Sequence, residues 1–446
     1  MRRFLWVALC AAAGLHAQSL RETIDAALAN YPSIRVSDEQ VKAAAAGVTL
    51  ARTAWLPKVD GLAQLNRATK NNVYGLLLPQ STLPNISGPP NPVNDMGSVW
   101  GTAVGFLVSW EPYDFGQRTA NLNVAEALRR RAQTGVERTR FEVAALAADA
   151  YLTTVAAQQT VRAAEAQVKR SRQIGEIIRA LAKAELRPGA DVSRNDADLA
   201  SAEIQVVQAT ATVATARATL LQLTGKDVQV APANLLEPPT DSPVPTVDLA
   251  KSPYAMEQEA GIAEAEARRR VIERAYFPKI NLQAASYARG TGVSAIGATP
   301  GGANGLGPNI FNYAFGLTVT FPLMDIHSIR ARREIAEHQK LAENARYDQL
   351  LADINAHVRK AKDLLDTARR VAELTPRQLE AARQAEAQAG ARYKAGLGTL
   401  IEVADAQRLL TQSEIDASLA RLNVWRAMLQ VAAAAGDLKP FLDQVH

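Results

Sequence analysis

The chain has 446 residues, a formal net charge of +5 and 5% aromatic residues. That length allows two or three ordinary domains with ample core, and the abundance of alanine suits long, closely packed helices better than a thick globular core. The charge is mild and no basic patch is interleaved with aromatics, so solvated basic helix faces account for it and nucleic acid is not expected as a partner.

The N-terminus reads as an export leader over residues 1–17. Arg2-Arg3 is a charged start, Phe4 to Leu15 an apolar run too short to span a bilayer, and Leu15-His16-Ala17 a cleavage site. The mature chain is expected to start near Gln18. Cys10 is the single cysteine and lies in the leader, so disulfide and thiol chemistry are not expected. Lipidation of Cys10 is disfavoured because Leu9 is large for the preceding position. No later segment carries eighteen apolar residues in a row, so no transmembrane helix is expected.

Residues 19–55 read as helix with a break near Tyr31-Pro32-Ser33. Ala54-Trp55-Leu56-Pro57-Lys58-Val59 follows, and Ala275-Tyr276-Phe277-Pro278-Lys279-Ile280 repeats it. In both, proline ends a helix and opens a strand. Segments of about ten residues alternate with period two at 58–68, 101–112, 279–289 and 313–323. One face is bulky and apolar (Val104, Phe106, Val108 and Trp110; Tyr313, Phe315, Leu317 and Val319). The other is small or polar. The alternation alone fits a soluble sandwich as well as a tilted strand with lipid on one side and water on the other. Trp110, Tyr113, Tyr276, Tyr313 and Phe321 lie near segment ends, where a membrane-interface girdle would sit.

Long helices follow each strand pair, over 116–186 and about 326–394, with Pro376 expected to kink or restart the second. Seventy residues of helix reach about 105 Å. Arginines cluster at the junctions (Arg118; Arg129 to Arg131; Arg268 to Arg270; Arg330, Arg332 and Arg333), as a solvated face or as contacts to lipid phosphates. After the turn Arg187-Pro188-Gly189 comes a heptad helix, with Val192, Leu199, Val206, Val213 and Leu220 on one seam and Asn195, Ala202, Ala209, Ala216 and Leu223 on the other. After the turn holding Gly396 and Gly398 the design returns, with Val403, Leu410, Ala417, Val424 and Val431 beside Ala406, Ser413, Ala420, Ala427 and Ala434. Small residues along a seam mean close helix–helix packing, and the duplication is the strongest signal in the chain. Residues 18–225 form one repeat, 226–252 a proline-rich linker, 253–436 a second repeat and 437–446 a tail.

The proline-rich stretch 70–98 and the glycine-rich stretch 290–310 read as exposed loops. Gly290-Thr291-Gly292 lacks a following helix and is no phosphate cradle. The histidines, His327, His338 and His357 among them, lack metal-ligand spacing. No cofactor, metal or enzymatic activity is expected. Four strands cannot close a barrel, and an open edge in lipid leaves backbone groups unpaired. Three chains would pool twelve strands, with their helical hairpins continuing the wall as a tube.

The duplicated Pro-Lys junctions, Asp114-Phe115-Gly116, Pro322-Leu323-Met324-Asp325 and the hairpin run Tyr393-x-x-Gly396-x-x-Thr399-x-x-Glu402-Val403-x-Asp405-Ala406 resemble the outer-membrane efflux protein family, the TolC-like channels. The resemblance spans the whole mature chain. It implies a mainly α protein with transmembrane β strands: a homotrimer whose duplicated helical hairpins form a periplasmic tunnel joined to a 12-stranded barrel in the outer membrane, four strands per chain. It further implies a passive exit duct for efflux or type I secretion, working with a periplasmic adaptor and an inner-membrane transporter. Glu402 and Asp405 match the family's acidic entrance ring, and Tyr393 its gate tyrosine. Asn195 falls where the family places an acidic partner for that tyrosine, and Gly189, Gly396 and Gly398 fall in the turns. Gly398 stands where the family carries an arginine, a departure. An ordinary acidic first helical turn is the alternative for Glu402 and Asp405. A periplasmic coiled-coil adaptor or scaffold outside the membrane is the alternative for the whole chain.

Overall fold

The computed structural model describes residues 18–69, 94, 96–185, 189–230, 235, 249–293 and 301–445. The leader, most of the 70–98 loop and most of the 226–252 linker lie outside the described residues. The chain runs α1 (Leu20–Asn30), α2 (Pro32–Thr53), β1 (Lys58–Thr69), β2 (Ser98–Trp110), α3 (Gln117–Lys183), α4 (Gly189–Thr224), α5 (Pro253–Arg274), β3 (Lys279–Thr291), β4 (Ile310–Thr320), α6 (Ile326–Lys394), α7 (Leu400–Ala435) and α8 (Lys439–Leu442). It divides into a helical unit (residues 18–42, 130–260 and 343–445) and a sheet unit (43–129 and 261–342), each fed by both sequence repeats.

The sheet unit holds one antiparallel sheet in the order β1-β2-β3-β4. Its register explains how the bulky face packs. Gly61 pairs with Phe106, Phe106 with Ser286, and Ser286 with Tyr313. Ala284 and Ala288 of β3 likewise face Phe315 and Phe311 of β4. Small residues of β3 thus seat the rings of both neighbouring strands. That face stays uncovered: Phe106 is 65%, Tyr313 90%, Phe315 72% and Leu317 62% exposed. The opposite face carries Asp60, Gln64, Asn66, Asn281, Gln283, Asn312 and Thr318. Gly105 is obligatory, since a Cβ there would fall 2.3 Å from Tyr287 Cβ. Among the described residues no helix is long and apolar enough to cross a membrane.

Trp110 closes β2 and its indole N–H donates to Trp55 O at 3.1 Å. Tyr113 follows β2, Tyr276 precedes β3 and Phe321 follows β4. Tyr313 lies three residues inside β4, because that strand begins at Ile310 rather than 313. At the β2–α3 junction Phe115 has φ +50°, and its ring stacks on Phe277 and meets Tyr113 edge-on. Asp114 accepts from the Gly116 N–H at 3.2 Å and from Arg118 Nε at 3.1 Å. Burial pushes the Asp114 carboxyl up, but its bonds from Arg118 and Gly116 outweigh this and hold it below its ordinary value. Arg118 is buried beneath Trp55.

Arg118 is therefore unavailable to lipid phosphate, while other junction arginines are paired with carboxylates. Arg269 reaches Glu266 at 2.9 Å, Glu273 at 3.2 Å and Glu337 at 3.3 Å. Arg270 and Lys340 also converge on Glu266, Arg268 pairs with Glu264 and Arg333 with Glu273. Closely spaced carboxylates on α5 capture these guanidinium groups. Arg268, Arg270 and Arg333 are exposed despite their pairing, as are Arg330 and Arg332.

In the helical unit the main core gathers Leu20 and Ile24 of α1, Val143, Tyr151, Leu152 and Val155 of α3, Leu220 of α4, Leu422 and Trp425 of α7, and Phe441 of α8, with Val228, Val230 and Leu235 between α4 and α5. Ser19 caps α1 through a capping box with Glu22. All five large positions of the α7 seam are buried, as are Ser413, Ala420 and Ala427 beside them. In α4 the small seam is buried at Asn195, Ala202, Ala209 and Ala216. Most of its aliphatic seam is half-buried, and neighbouring Ile204 and Val207 are 58% and 69% exposed. Against the expectation of a restart, α6 runs unbroken through Pro376. Proline cannot donate to the Ala372 carbonyl four residues back; the Thr375 hydroxyl donates to it instead, at 3.3 Å.

The Glu266 network yields a pH prediction. The hydrogen bond from Arg269 is the largest influence, and with Lys340 and Arg270 it holds the Glu266 carboxyl down at about 2, below the ordinary value of about 4.3. A depressed carboxylate stabilises the fold above the ordinary value, and that contribution is lost as pH falls through about 2. Glu266→Gln should lower stability at neutral pH by about 1 kcal/mol, the scale of a partly solvated ion pair. It should also flatten the loss of melting temperature in detergent on acidification, measured by circular dichroism.

Candidate functional site

The hairpin end of the helical unit brings together the ends of α3 and α6 and the starts of α4 and α7. The α6–α7 turn is set by two glycine-dependent features. Gly396 has φ +77°, the left-handed conformation that glycine adopts without a Cβ clash. Leu397 N–H donates to Arg392 O at 2.9 Å and Gly396 N–H to Tyr393 O at 3.1 Å, the paired bonds of a Schellman cap. At Gly398 a Cβ would meet Arg392 Cβ, a Glu402 carboxylate oxygen and Tyr393 N, each at 3.3 Å. A side chain at this position would be crowded, and Arg392 lies beside the turn and donates to Leu397 O at 3.4 Å.

Thr399 caps α7, accepting from Glu402 N–H at 3.3 Å, and its hydroxyl donates to Glu402 Oε1 at 3.2 Å. The Glu402 carboxylate is thus folded back on the helix start. Asp405, one turn on, is exposed. Their i, i+3 spacing keeps them on one side of α7.

Tyr393 is only 3% exposed and packs with Ile178 of α3 and Leu400 and Val403 of α7, flanked by Ile174, Leu181 and Val192. Asn195, 5% exposed, turns its amide onto α3, where a Cβ on Gly175 would fall 2.5 Å from Asn195 Nδ2. Gly189 is the first residue of α4 rather than part of a turn, and a Cβ there meets nothing within 4 Å.

Next to these residues is a cavity of about 500 Å³ lined by Gln167, Ser171, Asn195, Asp198, Gln407 and Arg408 among others. Its lining is mixed, with Ile174, Leu400 and Val403 beside the polar groups. Thr411 donates to Gln167, and Arg170 Nη2 donates to Thr411 Oγ1 at 2.8 Å. Arg170 also grips Glu414 with both terminal nitrogens, at 3.3 and 3.0 Å. This fork ties α3 to α7, and bidentate geometry makes it stronger than a single-point pair. Arg408 of α7 holds Asp198 of α4 at 3.2 Å, while Arg179 holds Asp196 at 2.7 Å. The half-exposed Arg179–Asp196 pair contributes little.

Sequence reading missed Gly175, Arg170, Gln407, Thr411 and Glu414. The usable signal was a polar run at i, i+4 and i+7 (Gln407, Thr411, Glu414) on a helix whose flanking seam is apolar. His327, His338 and His357 are all exposed, and no group of three or more His, Cys, Asp or Glu able to hold a metal occurs among the described residues.

A four-stranded sheet with one exposed apolar face, in one chain with paired long helices, is the architecture of this chain. The chain matches the family profile described as Outer membrane efflux protein over residues 23–226 and 245–437. It belongs to that family, and its place is the outer membrane. It is 26% identical over 428 residues to Protein CyaE of Bordetella pertussis, covering 94% of this chain and 84% of the relative. It is 24% identical over 434 residues to the Pyoverdine export outer membrane protein OpmQ of Pseudomonas aeruginosa, covering 94% and 85%. Among solved structures its fold is similar to the outer-membrane channel OprN (TM-score 0.72, 21% identity, 94% of this chain and 89% of that one). It is also similar to the Campylobacter jejuni CmeC outer membrane channel (TM-score 0.76, 17% identity, 94% and 86%).

Gly175 offers a direct check on the packing at Asn195. A glycine-to-alanine change inside an exposed helix normally stabilises by about 0.5–1 kcal/mol. At Gly175 the added Cβ would displace the Asn195 amide, so Gly175→Ala should fall short of that gain, and Asn195→Ala in the same chain should restore it. Additive melting shifts in the double variant would contradict the contact.

Proposed function

We propose that the chain is one third of a passive exit duct, a homotrimer that carries substrates from an inner-membrane transporter, through a periplasmic adaptor, across the outer membrane. The observation that carries the reading is the sheet: among the described residues β1 and β4 are its edge strands, and the face holding Phe106, Tyr313, Phe315 and Leu317 is exposed. In hydrocarbon, unpaired backbone groups cost several kcal/mol each, so each edge calls for a strand from a neighbour. The exposed Ile204 and Val207 of α4 ask for a neighbour in the same way. A soluble periplasmic adaptor or scaffold has no use for such a face. Export implies removal of the leader after Ala17. The duct itself catalyses nothing and holds no cofactor; its chemistry is steric and electrostatic.

Protein extracted from outer membranes in detergent should run as a heat-modifiable trimer. Recovery as a soluble periplasmic monomer would overturn the reading.

At the periplasmic entrance, Asp405 and Glu402 from three copies would supply six carboxylates, a ring that attracts cations. Because Glu402 is engaged with Thr399, Asp405 is the more available charge. In planar bilayers Asp405→Ala should weaken block of the pore by divalent cations about fivefold, as expected for roughly 1 kcal/mol of lost attraction. Glu402→Ala should weaken it less, and the double variant most. Unchanged block in the double variant would remove the acidic ring from the reading.

A further inference from the structure

Residue 18 is held where the chain joins the helical unit. Its N–H donates to Gln229 O at 2.7 Å, in a single parallel bridge to Val230. Its carbonyl accepts from the Tyr151 hydroxyl at 3.0 Å, and Tyr151 is 1% exposed. Its side-chain Oε1 is buried without a hydrogen-bond partner. We infer that Gln18, once freed by cleavage after Ala17, is a modification site whose α-amine closes on its own side-chain amide to give an N-terminal pyroglutamate. The inference rests on the leader removal proposed above.

The reaction is intramolecular and balanced. The lone pair of the uncharged α-amine attacks Cδ of the side chain, and an N–Cδ bond forms. The Cδ–Nε2 bond breaks, and the side-chain nitrogen leaves as ammonia with a proton from the attacking nitrogen. No oxidant, reductant or second substrate is consumed. Ring closure takes place on the free terminus before it docks.

The docked geometry favours the closed ring over the open amine. An open terminus would be an ammonium with three donors, set in a half-buried position where, among the described residues, the acceptor bonded is one carbonyl, Gln229 O. The nearby Glu22 carboxylate is already committed to Ser19 N–H at 2.8 Å. A buried charge without a matched partner is costly. The lactam is neutral and keeps a single N–H, which matches that single acceptor. It leaves the Gln18 carbonyl free to accept from Tyr151.

The test is mass spectrometry of the full-length protein purified from outer membranes, intact and after amine-reactive labelling performed before digestion, with Gln18→Ser as the control. The N-terminal peptide of the unaltered protein should begin at residue 18, lack one ammonia and refuse the label. Gln18→Ser should begin at the same position with full mass and accept it. A Gln18 peptide of full mass that takes the label would overturn cyclisation while leaving the cleavage reading intact. A peptide beginning at any other residue, an acylated Cys10 included, would overturn both.

Discussion

Backbone amides and carbonyls in hydrocarbon must be hydrogen-bonded, and that constraint governs the rest of the molecule. The inner strands β2 and β3 meet it within the chain, through a pairing between segments that are distant in sequence. The outer strands β1 and β4 have one satisfied side each. Pairing β2 with β3 brings the two sequence repeats into one sheet, so the sheet unit draws equally on both. The alternation of small and aromatic residues across the register, from Gly61 through Phe106 and Ser286 to Tyr313, lets that face be bulky without crowding.

The helical repeats show how one pattern serves two environments. Both α4 and α7 carry five heptads with small residues on one seam. In α7 nearly everything on both seams is buried, whereas in α4 burial is concentrated on the small seam. A heptad specifies which residues want a neighbour and how closely it can approach. It does not specify whether that neighbour belongs to the same chain. The difference between the two helices therefore marks where the chain is complete by itself and where the proposed trimer would supply the missing surface.

At the hairpin end, packing and polarity divide the work. Tyr393 is anchored in an aliphatic cluster with Ile178, Leu400 and Val403, while Arg170, Gln167, Thr411 and Glu414 form a polar layer beside the cavity. Close-packed aliphatic contacts resist sliding, whereas hydrogen bonds around a cavity can exchange with water. At the helix start the Glu402 carboxylate accepts from the capping Thr399 hydroxyl, and Asp405 faces solvent. Asn195 and Gly398 both sit in tight surroundings: Asn195 against Gly175, and Gly398 against Arg392 and Glu402.

Periodicity in the sequence was enough to place four strands, two long helices, two heptad helices and the junctions between them, because alternation and heptad spacing are local consequences of strand and helix geometry. Composition and the Pro-Lys, Asp-Phe-Gly and hairpin runs pointed to the family. Only the tertiary structure decided that Arg118, Arg268 to Arg270 and Arg333 are paired with carboxylates, that α6 continues past Pro376, and that Gly175 lies against the Asn195 amide. Those outcomes depend on which side chains meet across elements far apart in the chain, and no local spacing encodes that distance.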